Sequence, residues 1–349
     1  MFRLERGSPP VWWRALLPVL AVLITFLLVS LAIWAAGANP LDVFYEMLIK
    51  PLTKRTARFE ILVQATPLLL TGIAVTYAFA AGYYNIGAEG QLYAGALMGA
   101  LLGPKLGGLP PFFAITVMLL AGFLGGVLWA LVPALLKVRL NVDEVVTTLL
   151  LNSVIIFFIS ALLNGVWRDP ISGWPRSPSI AESAQFPGII PRSRVHLGFL
   201  LAILAVISLW WILKKTRFGL ELRAAGLGKE AARFMGVPVA KTMLTAALIS
   251  GGIAGLAGVS EVAGVHYYLI DGISPGYGYT GIIVATFGGL QALGVTIAGL
   301  FLALVDTGAL SASRSLGIPV YLGDIIQATL LIVTLAVLLL NRYRPVRSR

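Results

Sequence analysis

The sequence predicts an all-α fold, a polytopic transmembrane helical bundle, and three observations carry that expectation. The 349 residues are 58% hydrophobic and only 12% charged, with a mean hydropathy of +0.90, whereas a soluble domain carries about 25% charged residues. Several apolar runs approach or exceed the ~20 residues needed to cross a bilayer, where only helices or closed barrels satisfy their own backbone. The polar stretches between the runs are too short to fold alone, so the chain reads as one integral membrane domain, 1–349, with its embedded core at 15–340. The absence of cysteine excludes disulfides, thiolate chemistry and cysteine metal sites. The two histidines, His196 and His266, are each isolated in sequence near the ends of apolar runs and are expected at the membrane interface rather than as ligands. A net charge of +11 would suggest a nucleic-acid partner in a soluble protein. Here the charge sits in loops and tails, which fits a membrane surface and no nucleic acid.

Taken in order, a basic N-terminus (Arg3, Arg6, Arg14) with Trp12 and Trp13 suited to the interface leads into a first span, 15–36. The triplet Ala36-Gly37-Ala38 faintly resembles a peptidase site, but the apolar stretch is long and many spans follow, so an uncleaved anchor is expected. A mixed-charge loop, 37–60, precedes a span at 61–81. A Gly-rich break and a short apolar piece, 92–102, follow, then long spans at 110–136 and 145–163. Residues 164–196, rich in Pro, Ser and Trp, form the longest non-apolar segment and are expected outside. Spans at 197–213 and 242–263 flank a basic loop. A Gly/Tyr loop, a short piece at 280–290 and spans at 292–310 and 322–340 complete about ten crossings, two of them short. Most basic residues then fall on the side of both termini, which the positive-inside rule makes cytoplasmic; Lys50, Lys54, Arg55 and Arg58 count against that topology. The order span, Gly-rich break, short piece, long span occurs at 61–136 and again at 242–310, starting from opposite sides. Inverted halves with broken helices point to a transport path at their interface.

The chain is organised around residues 214–241. Lys214, Lys215, Arg217, Arg223, Lys229, Arg233 and Lys241 outnumber Glu221 and Glu230 there. The stretch reads as two short helices broken at Gly226 and Gly228, the second stopped by Gly236 with Pro238 beyond. Small Ala231 and Ala232 would let another surface approach. The residues fit either a docking element for a partner or an ordinary basic loop.

Asn85-Ile-Gly87-Ala-Glu89-Gly-Gln91 is the most unusual local sequence. Unwound backbone at membrane depth is tolerated only where it is buried or lines a cavity, and an acid at the helix centre costs ~2.5–3.5 kcal/mol. The stretch reads as a hinge or pathway constriction offering hydrogen bonds from Asn85, Glu89 and Gln91, or as a tight turn. Asp306 is an acid well inside a later span; Glu261 and Asp324 lie near span ends and are expected at the interface. Asn152 serves as a cavity donor or a helix–helix bridge, and Tyr279 of Gly276–Tyr279, with Tyr84 and Tyr93, offers aromatic faces. No phosphate-binding loop, zinc motif or nucleophile elbow is present, so neither nucleotide hydrolysis nor other enzymatic chemistry is expected of this chain.

Together these pieces resemble the permease subunits of ATP-binding-cassette importers, in the branched-chain amino acid, ribose and nucleoside group. The resemblance covers residues ~15–340. Asn85–Gln91 with Leu92 looks like the signature of the sugar and nucleoside branch. Arg223-Ala-Ala225-Gly226 with Glu230-Ala231-Ala232-Arg233 and Gly236 looks like the coupling-helix motif, and Val142-Asp143-Glu144 through Asn152 is similar to the loop and span that follow, with Asp143 where the family often has Asn. The resemblance implies a bacterial cytoplasmic membrane protein that binds no cofactor itself, ATP and Mg²⁺ being held by a separate ATPase. It also implies a second permease and an external solute-binding protein as partners, and a small polar solute: nucleosides first, then simple sugars or branched-chain amino acids. A stand-alone carrier or channel is the alternative from another class.

Overall fold

The computed structural model describes residues 2–6, 11–35, 37–169 and 173–347, with side chains described at 16, 19–35, 37–169 and 173–337. Trp12, Trp13, the terminal arginines and Ala36 of the small-residue triplet lie outside those side chains. In chain order the helices are α1 (Val11–Ala35), α2 (Pro40–Phe44), α3 (Lys50–Thr53), α4 (Arg55–Ala80), α5 (Ala88–Leu102), α6 (Pro111–Leu140), α7 (Glu144–Asn164) and α8 (Leu197–Lys215). They continue with α9 (Arg217–Leu227), α10 (Lys229–Phe234), α11 (Val239–Glu261), α12 (Tyr277–Phe287), α13 (Ala292–Leu316) and α14 (Leu322–Arg342). A π turn, Val262–His266, continues α11.

Among the described residues, six helices are long and apolar enough to cross a membrane: α4, α6, α7, α8, α11 with its π turn, and α13. Shorter apolar stretches occupy α1 (Val19–Ala35) and α14 (Leu322–Val337), while α5 and α12, with 15 and 11 residues, are shorter than a crossing requires. The chain is thus a multi-span helical membrane protein. One departure from pure helix is a two-stranded antiparallel ribbon, β1 (Phe2–Arg6) with β2 (Tyr343–Arg347), which brings the two terminal segments together.

The chain divides into two compact units, residues 1–58 with 301–349, and residues 59–300. In the first, the segment expected as a loop at 37–60 is largely helical: α2, a π turn Tyr45–Ile49, α3 and the start of α4. Its apolar residues explain this. Val43 and Met47 are fully buried with Val29, Ile33, Val305, Ala309, Leu322 and Ile326. Asn39 caps α2 by accepting the Leu41 N–H, and Glu46 takes Lys50 Nζ at 2.5 Å, one turn on.

In the second unit, burial separates central from peripheral helices. The apolar window of α4 is 89% buried within the protein, against 22% for α7 and α8, so α4 is a core helix and the other two leave most of their surface uncovered by this chain. Helices α5, α6 and α11 meet on small residues: a Cβ on Gly126 would stand 1.9 Å from Gly251 O, and one on Gly258 1.9 Å from Leu92 O. Only glycine permits that approach, the usual way membrane helices gain contact where lipid offers no hydrophobic drive. Helix α6 ends at Asn141 in the left-handed region (φ 53), and Asp143 starts α7 by accepting the N–H groups of Val145 and Val146. The long polar segment folds onto the chain after α11: Ser177 N–H donates to Leu269 O and Ile180 N–H to Tyr267 O. Arg176 pairs with Asp169 and lies 5.4 Å over the Tyr268 ring.

Candidate functional site

The first break follows α4. The chain turns at Gly82 (φ +70) and restarts as α5 with Gly87 as its cap. Asn85 fills the turn. Its Oδ1 accepts Gly87 N–H at 2.9 Å and Gln91 Nε2 at 3.2 Å. Its Nδ2 donates to Gln91 Oε1 and to Ser250 Oγ of α11, both at 2.9 Å. Every donor and acceptor of this buried amide is therefore used inside the protein, and the side chain ties the break to α11.

The second break, after the π turn, delivers α12 to the same place. Gly278 N–H, in the first turn of α12, donates to Glu89 Oε2 at 2.7 Å. A Cβ on Gly278 would meet Glu89 N at 2.1 Å, so the two helix starts touch through glycine. Glu89, 2% exposed, thus sits in the first turn of α5 and against the first turn of α12. An intramembrane carboxylate costs ~2.5–3.5 kcal/mol; the Gly278 N–H and the two helix N-termini reduce that cost. Ser274 Oγ accepts the N–H groups of Gly276 and Tyr277, and Thr71 of α4 donates to Tyr277 O at 2.9 Å.

Asn152 of α7 joins the two breaks. Its Oδ1 accepts Gly90 N–H at 2.9 Å, and its Nδ2 donates to Ile86 O at 3.0 Å and Tyr279 Oη at 3.1 Å. Five of the residues expected along a pathway, Asn85, Gly87, Glu89, Gln91 and Asn152, are buried here, while Tyr279 is 39% and Tyr84 54% exposed. Tyr93 is buried, with its hydroxyl toward Ser274 O. Asp306 belongs to the other unit, where Gln327 Nε2 of α14 donates to it.

Replacing Asn152 by Leu removes all three bonds and leaves a buried N–H and C=O unmatched. At about 0.6 kcal/mol per interhelical bond in membranes, with a maximum near 1.7, the expected loss is roughly 2 kcal/mol. A thermal-stability assay on the detergent-purified chain should show a fall of several degrees for Asn152→Leu and a smaller one for Asn152→Asp, which keeps the acceptor for Gly90.

The basic hairpin is two helices, as expected, but the break lies at Gly228 alone; Gly226 is within α9. Thr216 caps α9 through Gly219 N–H at 3.1 Å, and Gly236 (φ +83) with Pro238 ends α10. Ala232 was expected to face a partner. It is fully buried, with Ala225, against Ala78, Tyr83, Ala134, Val239 and Met243. A six-residue helix lying on the membrane body must bury one face, and the small residues let it lie close. Gly226 lies closest: its Cβ would stand 2.3 Å from Ala80 O, at the end of α4 and the mouth of the first break. Arg223, Glu230, Ala231, Arg233 and Gly236 are on the free side. So are Leu227 (91% exposed), Phe234 (94%) and Met235 (68%).

Residues 57–335 match the family described as branched-chain amino acid transport system / permease component. The chain belongs to this family. It is 35% identical to a glucose ABC transporter permease of Haloferax volcanii (TsgB13), over 97% of this chain and 92% of that protein. It is also 35% identical to a guanosine ABC transporter permease of Bacillus subtilis (NupP), over 78% of this chain and 79% of that one. A nucleoside ABC transporter permease of Lactococcus lactis (NupB) is 27% identical over 91% and 90%.

Three further features of the permease were not read from its sequence. Leu227, Phe234 and Met235 are exposed on the hairpin, and apolar residues inside so basic a loop are the sequence signal for them. Ser250, Gly278 and Thr148, which accepts Ile86 N–H, lie far along the chain from the residues they hold. Trp129 Nε1, beside Gly90, is buried with no hydrogen-bond partner among the described residues. Glu261 and His196, expected at the interface, are instead buried, at 3% and 2% exposure. The 164–196 segment, expected as an external loop, packs on this end of α11 where described: Phe186 N–H donates to Ala263 O at 2.8 Å.

Proposed function

We propose that this permease is the membrane subunit of an ATP-binding-cassette importer that moves nucleosides into a bacterial cell. The observation that carries the reading is the two-sided hairpin. Its outer face offers Leu227, Phe234 and Met235 among Arg223, Glu230 and Arg233, and its inner face presses Gly226 onto the end of α4 at the first break. An ATPase gripping the outer face, closing on ATP and Mg²⁺, would move α9 and α10 as a lever. The break, held to α7, α11 and α12 through Asn85, Asn152 and Glu89, would then exchange one packing for another. On this reading the hairpin and both tails are cytoplasmic, and the crossings number about ten with α1, α14 and the two short helices counted. Tyr84 and Tyr279 are the exposed aromatic faces available to a solute. The loops at 164–196 and 264–279, joined by the Ser177–Leu269 and Ile180–Tyr267 hydrogen bonds, form the landing surface for a solute-binding protein.

The nucleoside assignment rests on the guanosine and nucleoside permeases among the relatives. Two guanosine permeases of B. subtilis, NupP and NupQ, both align with this chain, which favours a pair of different permeases. Sugar transport is the second reading, favoured by the full-length match to the Haloferax protein. Reconstitution into vesicles with the ATPase, second permease and binding protein separates them. ATP-dependent guanosine uptake that glucose does not compete supports the first reading, and the reverse pattern supports the second. Uptake driven by an ion gradient without any ATPase would overturn both.

A further inference from the structure

Helix α8 packs one face against its own chain and leaves the other uncovered. The covered face is built on Gly198, Ala202, Leu209 and Leu213, with Ser208 Oγ 3.3 Å from Tyr77 Oη of α4. The uncovered face is Leu200, Ile203, Leu204, Ile207, Trp210 and Trp211, then Lys214 and Lys215. Steps of three and four residues align them, with Trp210 one turn before Lys214 and Trp211 one turn before Lys215.

Side-chain size argues for what covers this face. Membrane helices meet on small residues, as α5, α6 and α11 do here. The uncovered face of α8 has none: every exposed residue from Leu200 to Lys215 is bulky. Such a surface suits fluid acyl chains rather than the close approach of another helix. Length agrees. From Leu200 to Trp211 the helix rises about 16 Å, the depth of one leaflet of a ~30 Å hydrocarbon core. The two indoles then fall at the interface, where Trp concentrates. The lysines stand just beyond it, with stems long enough to reach lipid phosphates.

Charge argues for which lipid. Neither Lys214 nor Lys215 has an ion-pair partner among the described residues. Arg217 follows at once, also exposed, with Glu221 3.2 Å from its Nε, and the first turn of α9 carries no acid. The cluster is therefore net positive. Each Lys or Arg at an anionic lipid surface strengthens binding about fivefold.

We propose that the α8 face from Leu200 to Lys215 is a binding site for an anionic phospholipid, its acyl chain along Leu200–Trp211 and its phosphate at Lys214 and Lys215. The site lies at the root of the basic hairpin. Thr216 Oγ1 donates to Ile212 O and accepts Gly219 N–H, and a Cβ on Gly219 would stand 2.0 Å from Ile212 O, so the lysine turn and the start of α9 pack as one piece. The site needs neither the solute nor an ATPase.

The test places the full-length permease in vesicles whose lipids carry bromine on their acyl chains, because bromine quenches a tryptophan that it touches. The signal of Trp210 and Trp211 is the difference between the chain, which has eight tryptophans, and its Trp210→Phe/Trp211→Phe variant. Brominated phosphatidylglycerol should quench that signal half-maximally at a mole fraction about fivefold or more below that needed by brominated phosphatidylcholine. About 1 M salt should narrow the gap. Lys214→Gln/Lys215→Gln, at exposed positions, should close it, and Lys214→Arg/Lys215→Arg should keep it open. Equal quenching by the two lipids in the unaltered chain, a preference that survives the glutamine pair, or a signal that neither lipid quenches, as when a second copy covers this face, would each overturn the site.

Discussion

Phe234→Asp is expected to abolish ATP-driven uptake while leaving the permease folded. Phe234 is 94% exposed at the end of α10, and its neighbours Leu227 and Met235 are exposed with it. It supports nothing in its own chain, so its replacement costs the isolated permease little stability. An aromatic anchor in a well-packed interface is worth ≥2 kcal/mol, or about thirtyfold in affinity, and a carboxylate in the same groove adds a desolvation penalty. Co-purification of the ATPase should fall by that factor or more, with the thermal midpoint of the permease alone unchanged. Retained ATPase binding and normal uptake would remove the hairpin from its proposed role. Glu230→Ala and Arg233→Ala, polar and exposed, are expected to have the same direction and smaller size.

Gly226→Val should produce the opposite pairing: an ATPase that still binds but no longer drives transport. Gly226 is itself exposed, but a Cβ built on it would point at α4, 2.3 Å from Ala80 O, so a branched side chain must push α9 away from the end of α4. Overpacking of this kind costs about 1–3 kcal/mol, enough to shift the hairpin without unfolding a large helical protein. Its outer residues remain available, so ATP hydrolysis should persist at near basal rate while solute-stimulated hydrolysis and uptake fall at least tenfold, since 1.4 kcal/mol is a factor of ten. Equal loss of binding and transport in Gly226→Val and Phe234→Asp would show that the hairpin has no inward lever.

The contrast between these two glycine- and phenylalanine-based predictions shows where sequence reading stops. The hairpin's existence, its polarity and its stop at Gly236 and Pro238 were legible, because turn chemistry is local. Which face it buries was not. Ala231 and Ala232 are adjacent and chemically identical, yet the first is exposed and the second fully buried. The same limit applies at the breaks. Glu89 stood out as an acid beside apolar residues, but its partners, the Gly278 N–H and the Ser274 side chain, lie far along the chain, and pairing at that distance leaves no local mark in sequence. Asn152 was read equally well as a cavity donor or a bridge; its three bonds make it a bridge between the two breaks in this conformation.

The amino-acid sequence by itself determined that this is a helical membrane protein, where its long helices run, that two of them are short and follow glycine-rich breaks, and that a basic hairpin interrupts the series at mid-chain. Those properties follow from the length of apolar runs and from residues that stop helices, both of which act over a few neighbours. The tertiary structure alone decided that the two breaks meet at Glu89 and Asn152 and that the hairpin bears on the first break through Gly226. The physical reason is that lipid and protein interior are equally apolar, so a membrane helix carries no hydrophobic stripe to announce which side faces its neighbours; only the fit of small residues and the pairing of buried polar groups chooses the face.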